Sequence, residues 1–317
     1  MGALLSVSEL TKIYEVRRTV FSVRKDLITA VDHVSFDLMP GKTLGVVGES
    51  GSGKSTLARC VMLLEKADSG TIAFAGFDWM NGDESQRRPL RKEMQIIFQD
   101  PYSSLNPRKR ILDIICEPLL AHRMVAKGEM KDKALEIMKA VGLDEDSLKK
   151  YPHEMSGGQR QRVAIARALS TTPKCIIADE PVSSLDVSVQ AQIINLFLDI
   201  RERFAISFLF ISHDLSIVKF LSDEIMVMYR GRVLERASRE DLFSNPLHPY
   251  TRMLIDSAHG ETPERQEREA AGQGGCLFFD RCTDRQGKCG ETQPQLRSEA
   301  DHFVACHYVY PCGKRAL

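Results

Sequence analysis

The sequence predicts an α/β fold: a parallel sheet covered by helices on both faces, interrupted by a helical block and followed by a small separate segment. Three observations lead there. Short apolar runs alternate with stretches of helical spacing, the pattern of parallel strands joined by crossover helices. One run, Thr43–Val47, ends in a glycine-rich turn that opens a helix. Another, Cys175–Ala178, delivers Asp179 and Glu180 to its C-terminal end, where α/β sheets bind ligands.

In chain order, residues 4–14 and 27–38 read as strands, with β-branched and apolar residues among polar ones. The basic stretch RRTVFSVRKD between them reads as a surface excursion. After the strand Thr43–Val47, helical spacing runs from Lys54 to about Glu65. MQIIF at 94–98 is another short strand. From Ile111 to Lys150 the spacing is helical with no strand, and Gly158–Leu169 is a helix with Val163, Ala166 and Leu169 on one face. The strand Cys175–Ala178 leads to a long helix, Val187–Phe204, then a strand Ser207–Ile211 and a helix from about Asp214. Strands at 224–229 and 232–236 close the pattern. Residues 260–275, polar and glycine-rich, read as a linker.

The 317 residues carry 43 basic and 43 acidic side chains. That balance excludes a general nucleic-acid binder, which needs a basic excess, but leaves room for a local nucleotide site. No apolar run approaches the length of a bilayer-spanning helix. MGALLSVSEL lacks the basic and apolar regions of a secretory signal, so a cytosolic setting with reduced cysteines is expected. Cys60, Cys116 and Cys175 lie singly in apolar segments and read as small buried hydrophobes. The other five of the eight crowd into Cys276–Cys312.

Gly48-Glu49-Ser50-Gly51-Ser52-Gly53-Lys54-Ser55 fits the pattern G-x-x-x-x-G-K-[ST]. Its glycines let the backbone wrap so that its N–H groups face one point. The helix N-terminus adds partial positive charge and Lys54 a full one, while Ser55 offers a hydroxyl to Mg²⁺. A glycine-rich turn that only caps a helix is the alternative. Asp179 is placed to hold Mg²⁺ through water, and Glu180 suits a general base that activates the attacking water. Alone, an Asp-Glu pair at a strand end is usually a helix cap. Together with the phosphate loop it reads as a nucleoside-triphosphate hydrolase. Ser156-Gly157-Gly158-Gln159 is a second cradle of hydroxyl and glycines opening a helix, without a lysine of its own. Packed head to tail with another subunit, it would close over a nucleotide bound by that chain.

The phosphate loop, Ser156–Gln159, Cys175–Glu180, Ser183–Asp186 (SSLD) and His213 follow one another in a familiar order and spacing. From about residue 4 to 257 the chain resembles the ATPase subunit of an ATP-binding-cassette (ABC) transporter. IIFQDPYSSLNP, DEPVSSLDVSVQAQIINL and NPLHPYT resemble the oligopeptide/dipeptide/nickel importer branch. The aspartate of FQDPY, the VSSLDVS wording and the N-terminal insertion resemble its F-type subunit, which pairs with a distinct D-type ATPase. The resemblance implies a P-loop core with an N-terminal antiparallel β subdomain and a helical subdomain at about 105–170, together spanning 1–259. The linker 260–275 and a Cys-rich extension at 276–317 would follow.

It also implies roles. Gly48, Ser50, Gly51, Ser52, Gly53, Lys54, Ser55 and Thr56 would bind the nucleotide, with Tyr14 stacked on adenine. Ser55, Gln99 and Asp179 would hold Mg²⁺, Gln99 also sensing the membrane subunits. Glu180 and His213 would be catalytic, Ser156, Gly157, Gly158 and Gln159 would act in trans, and Asp186 would cross the dimer interface. Without the resemblance, Tyr14, Gln99 and His213 would pass for an ordinary strand aromatic, a strand-end polar residue and a turn or capping residue. Met155 stands where the family has leucine, a swap of similar volume.

Cys276, Cys282, Cys289 and Cys306 could ligate zinc or an iron–sulfur cluster, and spacing alone does not choose between them. No tight C-x-x-C pair favours zinc. Extensions of similar spacing in dipeptide-type ATPases resemble [4Fe–4S] ligands, which ranks the cluster first, Zn²⁺ second and free thiols third. Cys312 falls outside the pattern, and His302 and His307 are the less favoured ligands. A tail this small is expected to need such cross-links to fold.

The expected function is ATP hydrolysis driving import of di- or oligopeptides across the cytoplasmic membrane, or of nickel, glutathione or another small solute. The expected partners are a D-type ATPase, two membrane-spanning permeases and an extracytoplasmic solute-binding protein, with no nucleic acid. The chain would sit peripherally on the inner face of that membrane. A soluble ABC ATPase is disfavoured by the zero net charge and the HPYT segment, and a non-catalytic regulatory subunit by Glu180 and His213.

Overall fold

The computed structural model describes residues 2–17, 25–258, 274–299 and 301–309. Residues 18–24 of the basic insertion, 259–273 of the expected linker, and Cys312 lie outside the described residues. The described residues form two compact units: Met1–Ser6, Asp37–Thr43 and Ile72–Ile211 in one, Val7–Phe36, Leu44–Thr71 and Ser212–Leu317 in the other.

In the first unit three parallel strands lie in the order Ser207–Ser212, Cys175–Asp179, Met94–Ile97. Cys175–Asp179 is central and wholly buried, hence its uninterrupted apolar run. Its register puts Ala178 beside Phe210 and Ile97, so the strand ends that carry Gln99 and Glu180 emerge on the same side. The helices Ile111–Ala121, Met130–Ala140, Gly157–Leu169 and Val187–Phe204 pack through Ile115, Leu119, Ala134, Met138, Val163, Ile165 and Ile193, all buried. Each of these larger side chains, Ala134 apart, stabilises by about 1.5–3 kcal/mol when taken from water. Met155 is buried too, as its apolar stand-in role for leucine requires.

In the second unit Thr43–Val47 runs parallel to Glu224–Tyr229, with Val46 beside Met226. Glu224–Tyr229 turns back into Arg232–Ser238. Tyr229 and Arg232 pair across Arg230 and Gly231, both at positive φ, the geometry of a two-residue type I′ hairpin. Leu5–Arg17 neighbours Lys25–Leu38. Glu9 bonds Ser35 and His33 bonds Thr11, so the pair runs antiparallel as expected.

Several elements were not anticipated. Ser69–Phe74 is a strand, and Pro249–Ala258 a helix. The tail contributes two three-residue strands: His302–Val304 pairs with Arg232–Ser238, and Arg297–Glu299 pairs with His302–Val304. Strand pairing thus ties the tail to the rest of its unit. Besides this pairing, Glu235 and His302 form a buried pair at 2.6 Å, and Arg252 meets Asp284 at 3.3 Å. No described helix is long and apolar enough to cross a membrane.

Candidate functional site

The phosphate loop lies in the second unit. Its strand, Thr43–Val47, is buried throughout, and the helix Lys54–Val61 follows. Gly53 sits at φ +100°, a left-handed backbone that disfavours any side chain; a Cβ there would also strike the Ala30 carbonyl. At Gly48 a Cβ would strike the Met228 carbonyl. The helix start carries no side-chain cap and no acidic residue in its first turn, an arrangement suited to an anion. Lys54 is buried, and its ammonium is satisfied by the carbonyls of Gly48 (2.7 Å) and Glu49 (2.9 Å) and by Ser52 Oγ (3.3 Å). Tyr14, its pKa raised by burial, hydrogen-bonds Glu65 and Thr56, which brings it against this same helix. His213 is exposed at the end of Ser207–Ser212. The cap of the following helix is Asp214, which accepts from the Ser216 amide at 2.8 Å.

In the first unit Asp179 is buried at the end of its strand. Glu180 follows at φ +47°, an uncommon conformation for a residue with a side chain. Its amide is held by the Ile211 carbonyl at 2.9 Å, and its carboxylate accepts from Gln99 Nε2 at 3.0 Å. Gln99 and Glu180, 81 residues apart, thus meet at adjacent strand ends. Asp100 caps the turn Pro101–Ser104 through the amides of Tyr102 and Ser103, and those bonds lower its pKa.

Ser156 caps Gly157–Leu169: its hydroxyl accepts the Gln159 amide at 3.3 Å, and Gln159 Oε1 accepts the Ser156 amide at 3.1 Å. Ser156 and Gly157 are exposed. Gly158 allows the Val189 side chain close. Asp186 heads the helix Val187–Phe204, yet its carboxylate makes no cap bond and stands exposed.

In the second unit Cys276, Cys282, Cys289 and Cys306 line one small cavity together with Phe278 and Phe279. Burial raises the pKa of Cys276 and Cys306, and that of Cys282 to about 12. Cys306 donates to the Tyr308 carbonyl. Among the described residues no three His, Cys, Asp or Glu side chains are disposed to hold a single metal ion. His302 is committed to Glu235, and His307 Nε2 to the Thr292 carbonyl at 2.8 Å.

Sequence reasoning missed a network of this second unit. Buried Glu235 accepts the amides of Leu247 (2.7 Å) and His248 (2.9 Å). His248 Nδ1 accepts the Tyr250 amide at 3.0 Å, and the Tyr250 hydroxyl accepts the Glu49 amide at 3.0 Å. HPYT was the only signal, legible as a family wording and not as a support for the phosphate loop.

Known proteins match along these lines. The ABC transporter family model covers residues 31–183, and the model of the oligopeptide/dipeptide transporter C-terminal region covers 234–289. The di/tripeptide transport ATP-binding protein DppF of Pseudomonas aeruginosa is 43% identical over 98% of this chain and 98% of its own length. The dipeptide transport ATP-binding protein DppF of Escherichia coli is 45% identical over 96% and 94%. The oligopeptide transport ATP-binding protein AppF of Bacillus subtilis is 44% identical over 96% and 97%. Among solved structures, the ATP-binding cassette MJ0796, a dimer in a post-hydrolysis state with ADP and Pi, superposes with a TM-score of 0.66 at 27% identity. The match covers 74% of this chain and 98% of that one. The cbiO1 subunit from Clostridium perfringens gives 0.64 at 26% identity, over 77% and 91%.

Proposed function

Because the chain belongs to the ABC transporter family, in its oligopeptide/dipeptide branch, we propose that it is the ATP-binding and ATP-hydrolysing subunit of a peptide importer. The observation that carries this is relatedness along almost the whole of both chains to three di- and oligopeptide transport ATP-binding proteins.

The loop from Gly48 to Thr56 takes the nucleotide phosphates on its amides and on Lys54, and Tyr14 takes the adenine. Ser55, Gln99 and Asp179 hold Mg²⁺, which offsets phosphate charge when bound. Glu180 orients and deprotonates the attacking water, with Gln99 steadying its carboxylate, and His213 meets the γ-phosphate. Ser156, Gly157, Gly158 and Gln159 close on the nucleotide of a partner ATPase of the D type, and Asp186 reaches across that interface. The exposed, cap-free carboxylate of Asp186 supports such a use. Residues 1–259 form the ATPase, with the 105–170 helices toward two permeases; 260–275 link it to the extension 276–317. The assembly works at the inner face of the cytoplasmic membrane with an extracytoplasmic solute-binding protein.

Glu180→Gln tests the assignment. In the assembled transporter, turnover should fall about 10²–10⁴-fold, the scale of a lost general base, with ATP binding retained. Wild-type turnover would remove Glu180 from the chemistry.

The four cysteines hold a [4Fe–4S] cluster in the same reading. That the four line one cavity together supports a shared ligand. Loading must strip protons from buried thiols, so it is favoured at higher pH. Anaerobically purified protein should contain about four irons per chain, lost in Cys289→Ser and kept in Cys312→Ser. Stoichiometric zinc without iron would overturn the cluster.

A further inference from the structure

Arg281 closes the one-turn helix Phe279–Arg281, immediately before Cys282. Its guanidinium donates to both carboxylate oxygens of Glu49, Nη1 to Oε2 and Nη2 to Oε1, each at 2.7 Å. Glu49 is the second residue of the phosphate loop, 232 residues away. The two-pronged bond fixes the orientation of the carboxylate as well as its charge, and it raises the arginine pKa further. Both side chains are partly exposed, so the pair adds little to global stability. Its weight lies in what Glu49 is attached to. The Glu49 carbonyl accepts from Lys54 Nζ, and its amide donates to the Tyr250 hydroxyl. Side chain, carbonyl and amide of one loop residue are thus all held.

The same arginine lies over the rings of Tyr229 and Phe278, at 5.9 and 5.8 Å. Phe278 packs on Tyr250 at 5.3 Å and also lines the cysteine cavity. Residues 278–282 therefore serve the cavity and the phosphate loop at once.

We propose that Arg281 is a positioning residue for the phosphate loop, neutralising and clamping Glu49 so that the loop amides and Lys54 are presented to a nucleoside triphosphate. The cysteine-bearing segment is then a brace on the nucleotide site. This rests on Gly48–Ser55 being that site. Without Arg281, the Glu49 carboxylate loses its two-pronged counter-charge beside a polyanion, which weakens binding and leaves the chemical step alone.

The test is steady-state ATPase of the assembled transporter. Arg281→Gln should raise KM for ATP about tenfold, one like-charge interaction in a partly exposed site, with kcat held within about twofold. Adding Glu49→Gln should restore KM, since the carboxylate charge beside the polyanion is gone. A merely structural role would lower kcat and the unfolding midpoint together, with no rescue. Arg281→Lys keeps the charge and loses the fork, and should give an intermediate KM; it decides the matter should the glutamine variant not fold. Unchanged KM in both variants overturns the proposal. Lys54→Ala separates the two failures. If it retains wild-type ATP binding, the nucleotide site lies elsewhere and both readings fall. If it abolishes binding while Arg281→Gln changes nothing, only the positioning role is lost.

Discussion

The glycine-rich starts of the helices Lys54–Val61 and Gly157–Leu169 are built in opposite ways. Lys54–Val61 begins at a left-handed Gly53 with no side-chain cap, and its lysine is folded back on the carbonyls of its own loop. Gly157–Leu169 begins at Ser156 with a reciprocal cap through Gln159, and its first-turn arginine, Arg160, is spent on the Pro152 carbonyl. An uncapped start sets no side chain against its first amides, which suits a primary anion site. A capped start is stable alone and can lend its exposed face to a ligand held elsewhere. The difference teaches that a glycine-rich helix start is not one device: the cap decides whether it is a primary site.

The largest expected effect separates the two starts directly. In the isolated chain, Lys54→Ala should lower ATP affinity by about 100-fold or more, the loss of a buried charge-assisted contact. Gly157→Asp should leave that affinity unchanged, yet stop turnover of the assembled transporter by setting a carboxylate against phosphate. Equilibrium binding and ATPase rates measure the pair. Loss of affinity in isolated Gly157→Asp would mean both starts act on one nucleotide, and the comparison breaks.

Acid should sharpen it. His248 accepts the amide of Tyr250, which in turn holds the phosphate loop. Burial lowers its pKa from 6.5 to about 4, against the opposing pull of Glu235 and with a smaller push from Arg252. Below 6.5 the unfolded chain takes up a proton that the folded chain refuses. Stability therefore falls as pH drops from 6.5 and levels off near 4, by about 3 kcal/mol in all. Denaturant unfolding across that range, with His248→Gln flattening the slope, checks it. Hydrogen exchange should rise first around Glu49 and Tyr250 and not around Ser156. The smallest effect is at the other start. Ser156→Ala should cost about 1 kcal/mol, the usual worth of a lost N-cap, seen as a lower denaturant midpoint with ATP affinity unchanged.

The parts legible in the sequence were those with strong local chemistry. TLGVV and CIIAD read as strands because burial on both faces demands uninterrupted apolar runs, and the loop after the first needs its glycines and lysine side by side. The strand Ser69–Phe74 escaped because its burial is uneven and Gly70 interrupts it. The tail strands escaped because three residues carry no period. Glu180 stood out by its place at a strand end and Gln99 only through the resemblance, and their hydrogen bond through neither. Nor could Arg281 be read as a neighbour of Glu49, since nothing in either segment marks the other. Tertiary pairing across more than 200 residues leaves no local trace, and here it carries the support of the site.

The two short tail strands have a consequence of their own. His302–Val304 covers the open side of Arg232–Ser238, seven residues of strand with Val233 and Leu234 among them. Arg297–Glu299, charged at both ends and three residues long, is what the sheet then shows at that margin. Short charged margins resist strand addition by other molecules. A chain truncated before residue 276 would bare the longer strand and offer its unpaired amides and carbonyls as a template. Self-association, rising with concentration and slowed by a lysine placed on Arg232–Ser238, is the behaviour such a truncation should acquire.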